Sequence, residues 1–197
     1  MSASPTSAET TALLLGSARR LNIDEYHRMI ETGILADGER VELLEGVLVA
    51  MSPQQAAHAW AIEWLNRFLA RALGDEFRLR PQLPLSLGEI NEPEPDLAVV
   101  AATSRVRGRH PDSALLVVEV SGAESLARDR KLKASLYARF GIPEYWLVDL
   151  ERQRVEVFTE PDPATGAYRR SRILAAGEVL ASEGLPGVSF PVRELFG

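Results

Sequence analysis

The chain has no cysteine. That excludes disulfides, thiolate metal sites and cysteine nucleophiles. Lysine is almost as scarce, because the 22 basic residues comprise 20 arginines and only two lysines, Lys131 and Lys133. Both lysines fall in one segment, a dozen residues after an apolar run that ends in a glutamate. Arginine is permanently charged, whereas the pKa of a lysine can be tuned by burial, so paired lysines in an arginine-rich chain point to chemistry. Three catalytic signatures are also missing. There is no glycine-rich phosphate loop, no His-x-x-x-His pair and no Gly-x-Ser-x-Gly elbow, which removes nucleotide-loop enzymes, helix-borne zinc hydrolases and serine esterases of that type. No apolar run approaches the roughly 20 residues of a membrane-spanning helix. Leu13 to Leu15 is too short for a signal peptide. The expected setting is a bacterial-type cytoplasm with no membrane partner.

What is present fits one globular domain. The 197 residues are 46% hydrophobic and 25% charged, with a net charge of −6. Residues 1–20, rich in Ser, Ala and Thr, read as a disordered tail before a single domain over 21–197. The net charge argues against a protein that coats nucleic acid nonspecifically. Two local stretches run the other way: Arg105, Arg107 and Arg109 with His110, and the segment from Arg128 to Arg139. Such runs are usually solvated faces, and they also suit a phosphate-facing rim around an acidic centre.

Asn22 or Asp24 can cap a short helix through Tyr26, Met29 and Ile30 that stops at Gly33. The stretch from Val41 to Val49 reads as a hairpin turning at Glu45-Gly46, with Glu45 serving the turn. Helical spacing from Gln55 to Leu73 ends at Gly74. A strand interrupted by prolines is expected from Phe77 to Leu87. Pro95 to Val100 and Leu115 to Val120 are continuous apolar runs, as in central strands buried on both faces. A helix from Leu126 to Phe140, strands over Tyr145–Leu150 and Arg154–Thr159, further short strands and a last helical turn complete a mixed α/β domain. Trp60, Trp64 and Trp146 sit at core spacing and read as packing.

Each of the two central strands carries one acid, Asp96 at a start and Glu119 near an end. A carboxylate among Val and Leu is costly unless paired or metal-bound. If the strands are antiparallel neighbours, the two acids meet and form a hard-oxygen site suited to Mg²⁺ or Mn²⁺. Two residues after Glu119, where PD-(D/E)xK nucleases place a catalytic lysine, this chain has Ser121. The following helix offers Lys133, with Asp129 one turn before it and Tyr137 one turn after it. Lys131 points away from that face.

Pro95-Asp96, Glu119-Val120-Ser121 and Asp129-Arg130-Lys131-Leu132-Lys133 resemble the active-site segments of the Uma2 family of restriction endonuclease-like proteins. The resemblance continues through Leu136-Tyr137-Ala138-Arg139-Phe140-Gly141-Ile142-Pro143-Glu144-Tyr145-Trp146-Leu147-Val148-Asp149. It extends upstream to Glu25-Tyr26-His27 and Val41-Glu42-Leu43-Leu44-Glu45-Gly46. It implies a restriction endonuclease-like α/β core, a mixed central sheet flanked by helices. It also implies a DNA phosphodiester hydrolase, working as a homodimer, in which Asp96, Glu119 and the carbonyl of Val120 hold the metal. Lys133 would activate water and Glu42 would assist, with Ser121, Gln82, His58, Asp129 and Tyr137 as supporting groups. The segment Ser121-Gly122-Ala123-Glu124-Ser125 departs from the family's usual loop. The alternatives are a nuclease fold kept as a binding or oligomerisation module and a phosphodiesterase acting on nucleotides.

Overall fold

The computed structural model describes residues 16–36, 38–104 and 108–197. Most of the tail read over 1–20, and Arg105 and Arg107 of the first basic stretch, therefore lie outside the described residues. Arg19 pairs with Glu25, so the end of that tail is tied to the domain. The chain runs α1 (Ile23–Glu31), β1 (Val41–Leu44), β2 (Val47–Ala50), α2 (Ala56–Ala72), β3 (Phe77–Pro81), β4 (Leu97–Ala101) and β5 (Leu116–Ser121). There follow α3 (Leu126–Arg128), a π-helical stretch (Asp129–Lys133) and α4 (Ala134–Arg139). The rest is β6 (Glu144–Asp149), β7 (Arg154–Asp162), β8 (Ala167–Ala175), β9 (Val179–Ala181), β10 (Ser189–Pro191) and a 3₁₀ turn (Val192–Leu195).

Six strands form one sheet in the order β3-β4-β5-β6-β7-β8. Only β5 and β6 run parallel, because only that pair is joined by a helical crossover long enough to carry the chain back. The central strands are covered on both sides, which explains their unbroken apolar runs. On one face Leu97, Val99, Leu116, Val118, Trp146 and Val148 meet Leu65 and Leu69 of α2. On the other, Ala98, Val117, Tyr145 and Leu147 meet Leu136 and Tyr137 of α4. The hairpin β1–β2 sits beside this second layer, and a bridge from Leu43 to Glu92 ties it to the loop before β4.

Local chemistry sets the boundaries. Asn22 accepts from the Glu25 backbone while Glu25 reaches back to Asn22, a complete capping box for α1. The β1–β2 turn puts Glu45 at φ 51° and Gly46 at φ 71°, as a two-residue hairpin requires.

Several elements differ from the sequence reading. The strand expected over 77–87 ends at Pro81, since Gln82 turns to φ 48° and the chain leaves the sheet. The third strand of the C-terminal half is a nine-residue member of the main sheet, β8, paired along its length with β7. The helix expected over 126–140 contains the π-helical stretch, in which the Ala134 N–H bonds the Asp129 carbonyl. Trp60 is not core: it is 48% exposed on the outer face of α2.

A Cβ added at Gly46 would lie 2.5 Å from Arg20 Cβ and 3.0 Å from the Leu21 carbonyl oxygen, at a φ that side chains disfavour. Gly46→Ala should therefore lose at least about 1–2 kcal/mol in urea denaturation. Unchanged stability would contradict this account of the turn.

Candidate active site

The register of β4 against β5, Leu97 opposite Val118, carries the two acids to adjacent positions. The Val120 backbone N–H donates to Asp96 Oδ2 at 2.8 Å, so the two strand ends are joined through the acid itself. Asp96 and Glu119 are 8% and 4% exposed. Glu119 shares a strand face with Val117 and Ser121, pointing toward the helical crossover. There Lys133, 2% exposed, places Nζ 2.9 Å from Glu119 Oε1 and 2.9 Å from Glu42 Oε2. The Tyr137 hydroxyl donates to the same Glu119 oxygen at 2.6 Å.

Each strand acid thus has one oxygen pinned and one left over. Glu119 Oε1 takes Lys133 and Tyr137, and among the described residues no hydrogen bond engages Oε2. Asp96 Oδ2 takes the Val120 N–H and lies 3.2 Å from His58 Nε2, and among the described residues no donor engages Oδ1. Glu42 is fully buried; its Oε2 faces Lys133 and the Glu94 N–H, while Oε1 has no partner. Glu42, Asp96 and Glu119 line a cavity of about 210 Å³ together with His58, Glu94 and Lys133.

The π-helical stretch serves this arrangement. Asp129, on that stretch, accepts the Ser121 hydroxyl at 2.6 Å rather than pairing with Lys133. This leaves the lysine to the two glutamates. Tyr145 caps the Asp129 carbonyl that the wide turn accommodates, at 3.1 Å. Arg130 on the same stretch is held by Glu156, so the turn is clamped from both sides. Lys131 is exposed, as its helical phase requires.

Electrostatics follow from burial and charge imbalance. Burial pushes Glu119 up to about 8 against the pull of Lys133, and Asp129, Asp96 and Glu42 repel it further. Burial alone would lower Lys133, yet the facing Glu119 and Glu42 carboxylates raise it above the usual lysine range. The amine is therefore held as an ammonium. His58 is pulled down by burial, but the Asp96 carboxylate and the Val120 carbonyl outweigh that and leave it raised. Glu94 is raised by burial and by Glu42.

Of the residues singled out from sequence, Asp96, Glu119, Val120, Glu42, Lys133, Asp129 and His58 line one cavity. Ser121 and Tyr137 support it by hydrogen bonds. Gln82 does not join them: it is exposed, and only its backbone N–H reaches the Asp96 carbonyl. Sequence reasoning missed Glu94, whose signal was alternation with Asp96 across Pro95, and Arg40, which carried none. The basic run from Arg128 to Arg139 is largely consumed internally, with Arg139 on Glu45 and Arg130 on Glu156.

A family described as “Putative restriction endonuclease”, Uma2, matches residues 23–193. The chain belongs to the Uma2 family. Its fold is similar to the crystal structure of “a putative nuclease belonging to DUF820 from Anabaena variabilis ATCC 29413”. That likeness has a TM-score of 0.69 at 14% identity, over 89% of this chain and 97% of the other. No curated protein sequence matches this Uma2 chain. Among the described residues, no helix is long and apolar enough to cross a membrane.

Replacing Lys133 by Met leaves Glu42 and Glu119 buried and facing each other without a cation. The cost should be about 3–5 kcal/mol at neutral pH. Without the ammonium nothing opposes the burial that raises Glu119, so the variant's stability is present at low pH and lost as pH rises. Denaturant titrations should show a smaller deficit at pH 5 than at pH 8. An equal deficit at both would contradict the charge account.

Proposed function

We propose that this Uma2 protein is a divalent-metal-dependent endonuclease acting on DNA phosphodiester bonds. The observation that carries the reading is the pair Asp96 and Glu119, which line the same cavity, each with one oxygen fixed by the protein and, among the described residues, one that no hydrogen bond engages.

The donor set fits a hard cation. Carboxylate and carbonyl oxygens suit Mg²⁺ or Mn²⁺, and Asp96, Glu119 and the Val120 carbonyl would hold it. Among the described residues no group of three or more His, Asp or Glu side chains is placed to hold a metal by itself, so an ion here would rest on the two carboxylates and a carbonyl. An open set of this kind matches Mg²⁺, which keeps waters and substrate oxygens in its remaining positions. The surplus of acid over Lys133 is the further reason a cation belongs here. When bound, such an ion supplies Lewis-acid polarisation of the phosphodiester.

The chain's own groups do the rest. Lys133, kept as an ammonium by two carboxylates, donates hydrogen bonds and offsets negative charge on the phosphate undergoing attack. Its raised pKa favours this role over that of a base. Glu42 Oε1, buried and without a partner, is the acceptor available for a proton from the attacking water. Tyr137 fixes the Glu119 rotamer, and Ser121 with Asp129 locks the strand to the helix that carries Lys133.

Purified wild type should cleave DNA in Mg²⁺ or Mn²⁺, and Asp96→Asn and Glu119→Gln should each lose at least about 100-fold in rate and in Mn²⁺ affinity. Tyr137→Phe should weaken Mn²⁺ binding by about 10–100-fold. Equal cleavage by wild type and Glu119→Gln would sink the assignment.

A further inference from the structure

A polyanion entering this cavity meets mostly acid. Glu124 and Glu151 stand exposed at the rim, and Glu42, Asp96, Glu119 and Asp129 lie buried below. A bound divalent ion offsets that charge at the reacting phosphate. The neighbouring phosphates of a chain still face carboxylates, so their binding depends on cations that the rim itself supplies.

Besides His58, three basic side chains line the cavity: Arg40, Arg128 and Lys133. Lys133 is buried and shared between Glu42 and Glu119. That leaves the two arginines, and the fold brings them to one place. Arg40 directly precedes β1, and its carbonyl accepts the N–H of Met51, the residue after β2. Arg128 ends α3, and its Nη1 donates to the carbonyl of Ala50 at 3.3 Å. Both therefore flank the open end of the β1–β2 hairpin.

Neither guanidinium is used up there. Arg40 is exposed, and among the described residues no ion pair or hydrogen bond engages its side chain. Its charge acts on Glu94 and His58, which line the cavity with it. Arg128 places Nε 3.4 Å from Asp129 Oδ1, and among the described residues no hydrogen bond engages its Nη2. Other arginines of the crossover are differently placed: Arg130 is held by Glu156 and Arg139 by Glu45, and neither lines the cavity. A planar, permanently charged fork suits the non-bridging oxygens of a phosphate.

Resting on the phosphodiesterase reading of the cavity, we propose that Arg40 and Arg128 bind the phosphates next to the one being cleaved. The substrate is then a polynucleotide with phosphates flanking the scissile bond, rather than a nucleotide or an isolated diester. The arginines touch no reacting atom on this account. They set affinity for the chain, while Asp96, Glu119 and Lys133 act on the bond itself.

The test compares substrates that differ in flanking phosphates: a dinucleoside monophosphate, which has none, and a 12-nucleotide strand. Per phosphodiester bond, wild type should show a kcat/KM at least about 10-fold higher on the strand. Arg40→Ala should lower that value by about 10- to 100-fold, mostly through KM, and shrink the gap between the two substrates. Arg40→Lys should recover part of the loss. For strand binding in Ca²⁺, Arg40→Ala should flatten the dependence of log affinity on log salt by about 0.7. Arg128→Gln, which keeps a donor for the Ala50 carbonyl, should flatten it similarly. Lys131→Ala removes the same charge from the same crossover outside the cavity lining, and should change strand binding by less than about 2-fold. Mn²⁺ affinity should not fall in Arg40→Ala. Strand binding and cleavage by Arg40→Ala at the wild-type level, or an equal loss in Lys131→Ala, would overturn the proposal while the dinucleotide still reports a working site. Failure of wild type to hydrolyse either substrate would overturn the phosphodiesterase reading and this proposal with it.

Discussion

The structure is organised around one buried ammonium. Lys133 Nζ stands 2.9 Å from both Glu42 and Glu119, in a region that also holds Asp96 and Asp129 out of solvent. Burying several carboxylates with one lysine is not a stabilising choice in itself, because desolvation of the charges costs more than their attraction returns unless every lone pair is satisfied. Here not every lone pair is satisfied. Among the described residues Glu42 Oε1 is buried with no partner, and no hydrogen bond engages Glu119 Oε2 or Asp96 Oδ1. Local stability has been given up at one place, and the fold's other features position the groups there.

The antiparallel register of β4 and β5 brings Asp96 to Glu119, and the Val120 N–H locks the pair. The parallel step from β5 to β6 forces a crossover, and that crossover is the segment carrying Asp129, Lys133 and Tyr137. Its π-helical stretch lets Asp129 engage Ser121 while Lys133 reaches the glutamates. The β1–β2 hairpin supplies Glu42 from the opposite wall, and α2 supplies His58 from above the strand ends. Two hydrophobic layers, one on each side of the sheet, hold these walls apart at fixed spacing.

Much of this was legible in the sequence, for reasons that can be named. Acids inside the runs Pro95 to Val100 and Leu115 to Val120 stand out because burying a charge among Val and Leu needs a cause. The scarcity of lysine pointed to the right segment, and helical phase separated buried Lys133 from exposed Lys131. What was illegible depends on long-range geometry. A period of 3.6 does not reveal a π-helical turn, because the extra residue is absorbed by tertiary contacts such as Tyr145 to the Asp129 carbonyl. The α2 pattern placed Trp60 at core spacing, yet the helix turns that residue outward and buries Ala61, Ile62 and Leu65 instead. Gln82 lay on an expected strand that Pro81 ends, so it faces solvent. Arg40 precedes β1 with no periodic signal, and only the folded cavity shows what it borders.

The central claim is that Asp96 and Glu119 leave one oxygen each for a shared hard cation. Crystals soaked in Mn²⁺ and measured at the manganese absorption edge test it directly. The account predicts an anomalous peak about 2.0–2.3 Å from Asp96 Oδ1 and Glu119 Oε2, with Lys133 and Tyr137 still on Glu119 Oε1. No peak between the two acids at saturating Mn²⁺, or one coordinated elsewhere in the chain, would contradict it.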